Sequence, residues 1–202
     1  MSRVAGVVLA AGTSSRLGRP KQLLMLDGKP LVVHVVERAL ASGLDEVVVV
    51  TGAHDGRVES ALAGSEARFV HNPHFAEGQA SSLVAGVDAL GADIDAAVIL
   101  LGDQPGISPE VIRRVIGARQ TRAAPVVMAL YGEVRSHPVL FGREIFPELL
   151  QLRGDVGARG VIRAHRNDVV LVEGGAMTPP SDVDTEEAWV ELQQSWSVVE
   201  AD

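Results

Sequence analysis

Short apolar runs rich in β-branched residues alternate along this chain with segments of helical periodicity, and that alternation limits the folds open to it. Val4–Ala10, Glu46–Thr51, Arg68–His71, Ala96–Leu101, Pro125–Leu130 and Val169–Glu173 are expected as strands. Residues 47–50 are all valine, and residues 96–101 carry no polar side chain. Such runs suit strands buried on both faces, as in a parallel sheet covered by helices.

The intervening segments predict helices over Pro30–Ser42, Gly56–Leu62, Ser81–Leu90, Ser108–Arg119, Arg143–Leu152, Ala158–His165 and Thr185–Trp196. Pro30 stands near the start of the first and Gly43 just past its end, the usual asymmetry of helix termini. Ser108-Pro109-Glu110 reads as a capped start, and Asp184 with Glu187 as a capping box. The β-α alternation predicts a three-layer, Rossmann-like α/β fold with a mostly parallel sheet. With no linker, repeat or low-complexity tract, residues 1–202 are expected to form one domain ending in a frayed tail, 198–202.

Composition narrows the ligand. A formal charge of −8 opposes general affinity for nucleic acid or an acidic membrane, and 3% aromatic residues leave little for base stacking. An anionic small ligand must be met by local cations, and Lys21 and Lys29 are the only lysines. Without cysteine the chain has no thiolate nucleophile, disulfide or Cys-based zinc site. Val4–Ala11 is too short to span a membrane, and no later segment reaches about 18 uncharged apolar residues, so a cytoplasmic protein is expected.

The first strand runs into Leu9-Ala10-Ala11-Gly12 and then a loop with three cations in six residues, Arg16, Arg19 and Lys21. Loops at the carboxyl ends of strands are where α/β sheets bind ligands. Backbone N–H groups near Gly12, the planar fork of Arg16 and the mobile charge of Lys21 suit a group with several phosphate oxygens. The alternative is a solvated surface loop. Neither a Walker A loop nor a dinucleotide fingerprint fits: Lys21 lies between Pro20 and Gln22, and Ser14 stands where the second glycine belongs.

Leu9-Ala10-Ala11-Gly12, Arg16-Leu17-Gly18 and Lys21 together resemble the signature of the MobA-like nucleoside-triphosphate transferases. Later motifs resemble that family's molybdenum cofactor cytidylyltransferase branch: Asn72-Pro73 with Gly78 and Ser81-Ser82-Leu83, then Gly102-Asp103-Gln104-Pro105. His137-Pro138-Val139, Gly154-Asp155 with Gly157-Ala158-Arg159, and Asp182-Val183-Asp184-Thr185 complete the set. The resemblance spans nearly the whole chain and implies an α/β fold of the nucleotide-diphospho-sugar transferase type. It also implies CMP transfer from CTP to the phosphate of molybdopterin, with release of pyrophosphate and Mg²⁺ as cofactor.

The resemblance assigns the nucleotide to Leu9, Ala10, Ala11, Gly12, Arg16 and Lys21, and to Gly78, Ser81, Ser82 and Asp103. Catalysis falls to Lys21, Arg16 and Asp103. Asp103 closes the most apolar strand at the ligand edge of the sheet, a position that suits a Mg²⁺ ligand. A turn or cap aspartate is the alternative, but Ser108 already caps the helix beyond. Asp184 is the favoured second metal ligand, although it also reads as a helix cap, and Asp182 competes with it.

In the family the segments around His137, Gly157 and Arg159 face the acceptor. Arg159 falls in a first helical turn, where a cation opposes the helix dipole and calls for another reason. An anionic ligand supplies one; a salt bridge to Asp155 is the other. Pro73 separates His71 and His74, which are read as loop residues rather than metal ligands. Thr51–His54 ends a strand beside the expected site, but His54 has no partner in sequence. Trp189 and Trp196 are assigned to packing. Two further readings stay open: guanylyl or other nucleotidyl transfer to molybdopterin or another small phosphorylated acceptor, and a non-catalytic accessory protein that holds the cofactor for a molybdoenzyme.

Overall fold

The computed structural model describes residues 2–14, 17–175 and 179–199. Along the first half come β1 (Val4–Leu9), β2 (Met25–Leu26), β3 (Lys29–Pro30), α1 (Leu31–Leu40), β4 (Glu46–Thr51), α2 (Asp55–Ala61), β5 (Arg68–His71) and α3 (Gln79–Asp88). The second half adds β6 (Ala96–Leu101), α4 (Pro109–Arg122), β7 (Val126–Tyr131), β8 (Val134–Gly142), α5 (Phe146–Leu149), α6 (Arg159–Ala164), β9 (Val169–Glu173) and α7 (Glu186–Val199). Seven strands make one sheet in the order β5-β4-β1-β6-β8-β7-β9. Every neighbouring pair is parallel except the two formed by β8.

Successive side chains of a strand point to opposite faces, and here each face is covered. Val8, Val49 and Val98 enter one core layer with Val32 and Val36 of α1, Val58 of α2 and Ile112 and Val115 of α4. Val7, Val50 and Ile99 enter the other, with Leu83 and Val87 of α3, Leu149 of α5 and Val161 of α6. The result is the three-layer α/β arrangement expected from the alternation of elements. Among the described residues no helix is long and apolar enough to cross a membrane.

Three features depart from the sequence reading. The apolar run at 139–141 is the core of a strand, β8, inserted antiparallel between β6 and β7. Proline cannot donate to a ladder, and here the ladder passes Pro138 by going from Met128↔Val139 to Ala129↔Ser136. His137 and Pro138 bulge out of register there. β2 and β3 form a small hairpin, with Asp27 (φ 47°) and Gly28 (φ 75°) supplying the two positive φ angles such a turn needs. The continuous helix expected over Arg143–Leu152 is instead a 3₁₀ turn, Arg143–Ile145, followed by the four residues of α5.

Helix termini shift by small amounts with clear causes. α3 starts at Gln79, two residues before the expected Ser81. Thr185, not Asp184, caps α7: its Oγ1 accepts from the Ala188 N–H at 3.2 Å. α7 runs on to Val199, so the expected tail is helical at 198–199, while residues 200–202 lie outside the described residues. Trp189 and Trp196 bury their rings with Leu24, Leu26 and Leu31, and Arg38 lies 4.9 Å over the Trp196 ring. The helix thus braces the hairpin that follows the first loop.

α3 approaches the sheet closely because Gly86 has no side chain. A Cβ there would lie 2.4 Å from Val7 Cγ1 and 3.0 Å from Val50 Cγ2. Overpacking of a filled core costs typically about 1–3 kcal/mol. Gly86→Val is expected to lower stability by at least that amount, read as a drop in the urea midpoint at unchanged slope. An unchanged midpoint would show that α3 is free to shift.

Candidate active site

The carboxyl ends of β1 and β6, the start of α3 and the bulge of β8 surround a cleft of about 980 Å³. That is at the top of the roughly 300–1,000 Å³ range of single-ligand sites, and gives room for two reactants side by side. Leu9, Ala11, Gly12 and Lys21 line it from the first loop, and Gly78, Ser82 and Asp103 from the next two segments. His137, Gly157, Arg159 and Asp184 complete the expected set. Ala10 turns away into the α1-side core. Ser81 does not line the cleft either; its hydroxyl donates to the carbonyls of His74 and Gly78 at 2.8 Å. Arg16 lies outside the described residues.

Local hydrogen bonds shape the first loop. Ser14, at φ 55°, accepts from the Lys21 backbone N–H at 3.0 Å and donates to Gln22 Oε1 at 3.3 Å. Gln22, which is buried, donates in turn to the Gly12 carbonyl at 3.2 Å. These bonds fold the loop back on itself and set Lys21 opposite the strand that carries Asp103. At its outer end Arg19 donates from Nη2 to both carboxylate oxygens of Glu186, at 2.7 Å each, tying the loop to the start of α7.

Lys21 Nζ lies 2.5 Å from Asp103 Oδ2 and 2.7 Å from Asp184 Oδ1. Burial opposes the charge on the lysine, but the two carboxylates outweigh it and hold its pKa above the ordinary value. Burial pushes the Asp103 carboxyl up, and the ammonium facing it works against that shift. Asp182 is placed differently: its Oδ1 accepts from Gln104 Nε2 at 2.7 Å. Of the two candidates for a second metal ligand, Asp184 is therefore the one that shares a cation with Asp103.

The donor set fits a hard divalent ion. Two carboxylates converge on one positive centre, and Gln104, next in chain to Asp103, holds a buried Oε1 with no hydrogen-bond donor. Oxygen ligands of this kind suit Mg²⁺ or Mn²⁺, which take the rest of their shell from phosphate and water. Among the described residues no group of three or more acidic or histidine side chains could hold a metal alone.

The other end of the cleft is built by the β8 bulge and the loop before α6. Displacing His137 from the ladder turns its ring toward the cleft, the usual effect of a bulge beside a site. Burial lowers the His137 pKa to about 4, with Asp103 opposing that shift and Arg159 assisting it. Arg159 opens α6 as expected, but its guanidinium makes no salt bridge to Asp155. Gly78, at φ 108°, joins the two ends: a Cβ there would lie 2.6 Å from the Gly154 carbonyl carbon. The Ala80 N–H also donates to the Gly154 carbonyl at 3.0 Å. The turn before α3 and the loop before α6 therefore touch along their backbones.

Sequence reading missed three residues that matter here. Gln22 stitches the first loop, Arg135 lines the cleft from β8, and buried Asn72 donates to both Ser81 Oγ (2.9 Å) and Ser82 Oγ (3.1 Å). Asn72 had a signal in the Asn72-Pro73 motif. Arg135 had none until β8 was recognised as a strand.

The chain is similar to several known proteins. Residues 6–169 match the family described as the MobA-like NTP transferase domain. The chain is 33% identical over 198 residues to the nicotine blue oxidoreductase of Paenarthrobacter nicotinovorans, covering 94% of this chain and 96% of that one. It is 22% identical over 200 residues to the molybdenum cofactor cytidylyltransferase of Escherichia coli K12, covering 98% and 100%. Its structure resembles Rv0371c from Mycobacterium tuberculosis H37Rv, with TM-score 0.84, 32% identity and coverage of 96% and 98%. The manganese complex of that protein matches with TM-score 0.80 and 29% identity, covering 96% and 100%.

The depressed His137 pKa has a consequence for stability. The unfolded chain takes up this proton near pH 6.5, whereas the folded protein resists it until about pH 4. The unfolded state thus binds more protons in that window, so stability rises with pH across it. His137 should contribute fully above about pH 6.5 and progressively less down to about pH 4. Urea midpoints of wild type and His137→Gln between these limits should show a shallower pH slope in the variant. Equal slopes would mean that the ring titrates as if in water.

Proposed function

Since the chain belongs to the MobA-like NTP transferase family, a family of nucleotidyltransferases, we propose that it transfers CMP from CTP to the phosphate of a molybdopterin-type acceptor, releasing pyrophosphate. The observation that carries the reading is the lysine held between two carboxylates at one end of a cleft roomy enough for two substrates. A cytoplasmic site of action and hand-over of the product to a molybdoenzyme or its accessory protein complete the proposal.

The chain's own residues divide the work. Asp103 and Asp184 would hold Mg²⁺, which when bound supplies neutralisation of the triphosphate. Lys21 leaves the two carboxylates and turns its ammonium to the α-phosphate, where charge builds during in-line attack. Arg16 holds the departing pyrophosphate. The Asn72-braced start of α3, with Gly78 and Ser82, offers backbone and hydroxyl groups to the base and ribose. An acceptor phosphate is ionised at neutral pH, so no general base is required, and a neutral His137 leaves that oxygen free to attack. Catalysis then rests on positioning and charge stabilisation.

A second reading comes from the nicotine blue oxidoreductase relative. An oxidoreductase would need a redox partner held in the cleft, where the aromatic rings of the described lining are those of Phe75, Phe141 and His137. Assays for pyrophosphate release and for oxidation of NADH or NADPH, on the same preparation, separate the two.

Pyrophosphate release with molybdopterin and each of the four NTPs should be fastest with CTP in kcat/KM. A higher value with GTP would move the chain to guanylyl transfer, and no release with any NTP would make it a holder of the cofactor. Asp103→Asn should remain folded by circular dichroism yet lose at least about a hundredfold in turnover, the scale of removing a charge-stabilising group from an active site. EDTA should silence the wild type and added Mg²⁺ restore it. Near-normal turnover of the folded variant would refute the role of Asp103.

A further inference from the structure

Three described cations line the cleft, and two of them stand apart from the carboxylate cluster. Lys21 is paired, but the side chains of Arg135 and Arg159 have no carboxylate or hydrogen-bond partner among the described residues. A single unpaired arginine on a surface is ordinary. Two on the walls of one cleft, neither of them in a salt bridge with Asp155, which lines it too, leave two guanidinium groups available in a protein whose formal net charge is −8. A guanidinium without a protein partner inside a cleft offers its full fork of donors to a matching anion.

The apolar lining of the same cleft sets the rest of the ligand. Met128, Val139, Phe141 and Ile162 line the same cleft and give that end an apolar floor. Val134 and Val156, exposed by 53% and 62%, are among the few large apolar side chains left in solvent, and both stand at this cleft. Apolar walls around a few convergent polar groups are the usual make-up of a small-molecule site. Two guanidinium forks present more donors than a carboxylate can accept, and match a phosphate dianion.

We propose that Arg135 and Arg159 together clamp the phosphate of a ring-bearing phosphomonoester, and that Arg135 makes the site select phosphorylated acceptors over neutral ones. The proposal rests on the reading that places the acceptor at this end of the cleft. Both side chains are exposed, so alanine at either position leaves the core untouched.

The test is direct binding, without turnover, of 4-nitrophenyl phosphate by isothermal titration. Arg135→Ala and Arg159→Ala should each weaken binding about ten- to a hundredfold, as expected for a lost charge-assisted hydrogen bond. Arg135→Lys should fall between. The uncharged 4-nitrophenol should not bind, and the Kd for CTP should stay within about twofold in every variant, since the triphosphate is placed at the other end. Failure of the wild type to bind the phosphate ester, or an equal loss of CTP affinity in the variants, would overturn the clamp. Arginine-dependent binding in a protein that releases no pyrophosphate from CTP and molybdopterin would support the clamp and remove the cytidylyl reading.

Discussion

Lys21 meets Asp103 at 2.5 Å and Asp184 at 2.7 Å, and in doing so brings together three segments that are far apart in the chain. One is the loop after β1, one is the end of β6, and one is the stretch before α7, separated from the lysine by 163 positions. Asp103 is buried, so its negative charge must be matched where it stands. Removing one member of a buried pair leaves an uncompensated charge, at a cost of about 3–5 kcal/mol in other proteins. That constraint makes the first loop fold back through Ser14 and Gln22, and it keeps Asp184 out of the helix cap. The same cluster of charges is what a triphosphate and its cation would have to reorganise. Fold stability and the proposed function therefore draw on one interaction.

The antiparallel strand β8 does for the second half of the cleft what β1 does for the first. A sheet of parallel strands alone would carry its ligand groups on crossover loops after the strands. β8 runs the other way, so its early residues, 134–137, lie beside the carboxyl ends of its neighbours. The bulge at His137-Pro138 then turns an imidazole inward and sets Arg135 on the wall. Bulges commonly re-aim side chains beside a site, and this one brings His137 to the cleft wall.

Much of this was legible in the sequence, and what was not has identifiable causes. Runs such as Val47–Val50 and Ala96–Leu101 have no other stable place than a covered sheet, so the layers and most strands could be read directly. Gly12, Lys21 and Asp103 stood out because loops at strand ends combined small residues with charge. β8 was hidden because a proline inside an apolar run argues against a central strand, and only the register shift shows how the ladder bypasses it. Asp184 looked like a cap because Asp and Thr are both good caps; the neighbouring Thr185 takes the role, and the carboxylate is drawn to the lysine. Gln22 acts through hydrogen bonds to Ser14 and the Gly12 carbonyl, and no local pattern announces those; Asn72 stood in a recognisable motif, but its bonds to Ser81 and Ser82 did not show there.

The two halves of the cleft are not independent. Gly78 starts α3 at φ 108°, which few other residues adopt, and its α-carbon sits so close to the Gly154 backbone that no side chain fits between. Ala80 adds a hydrogen bond across the same seam. The turn that would meet the nucleotide and the loop that carries Gly157 and Arg159 are in backbone contact, and close-packed backbone transmits displacement rather than absorbing it. Anything that settles the Gly78 turn also settles the position of Arg159. An enzyme joining two anions gains from such a seam, because the second anion then meets a wall already fixed by the first, and less ordering remains to oppose its binding.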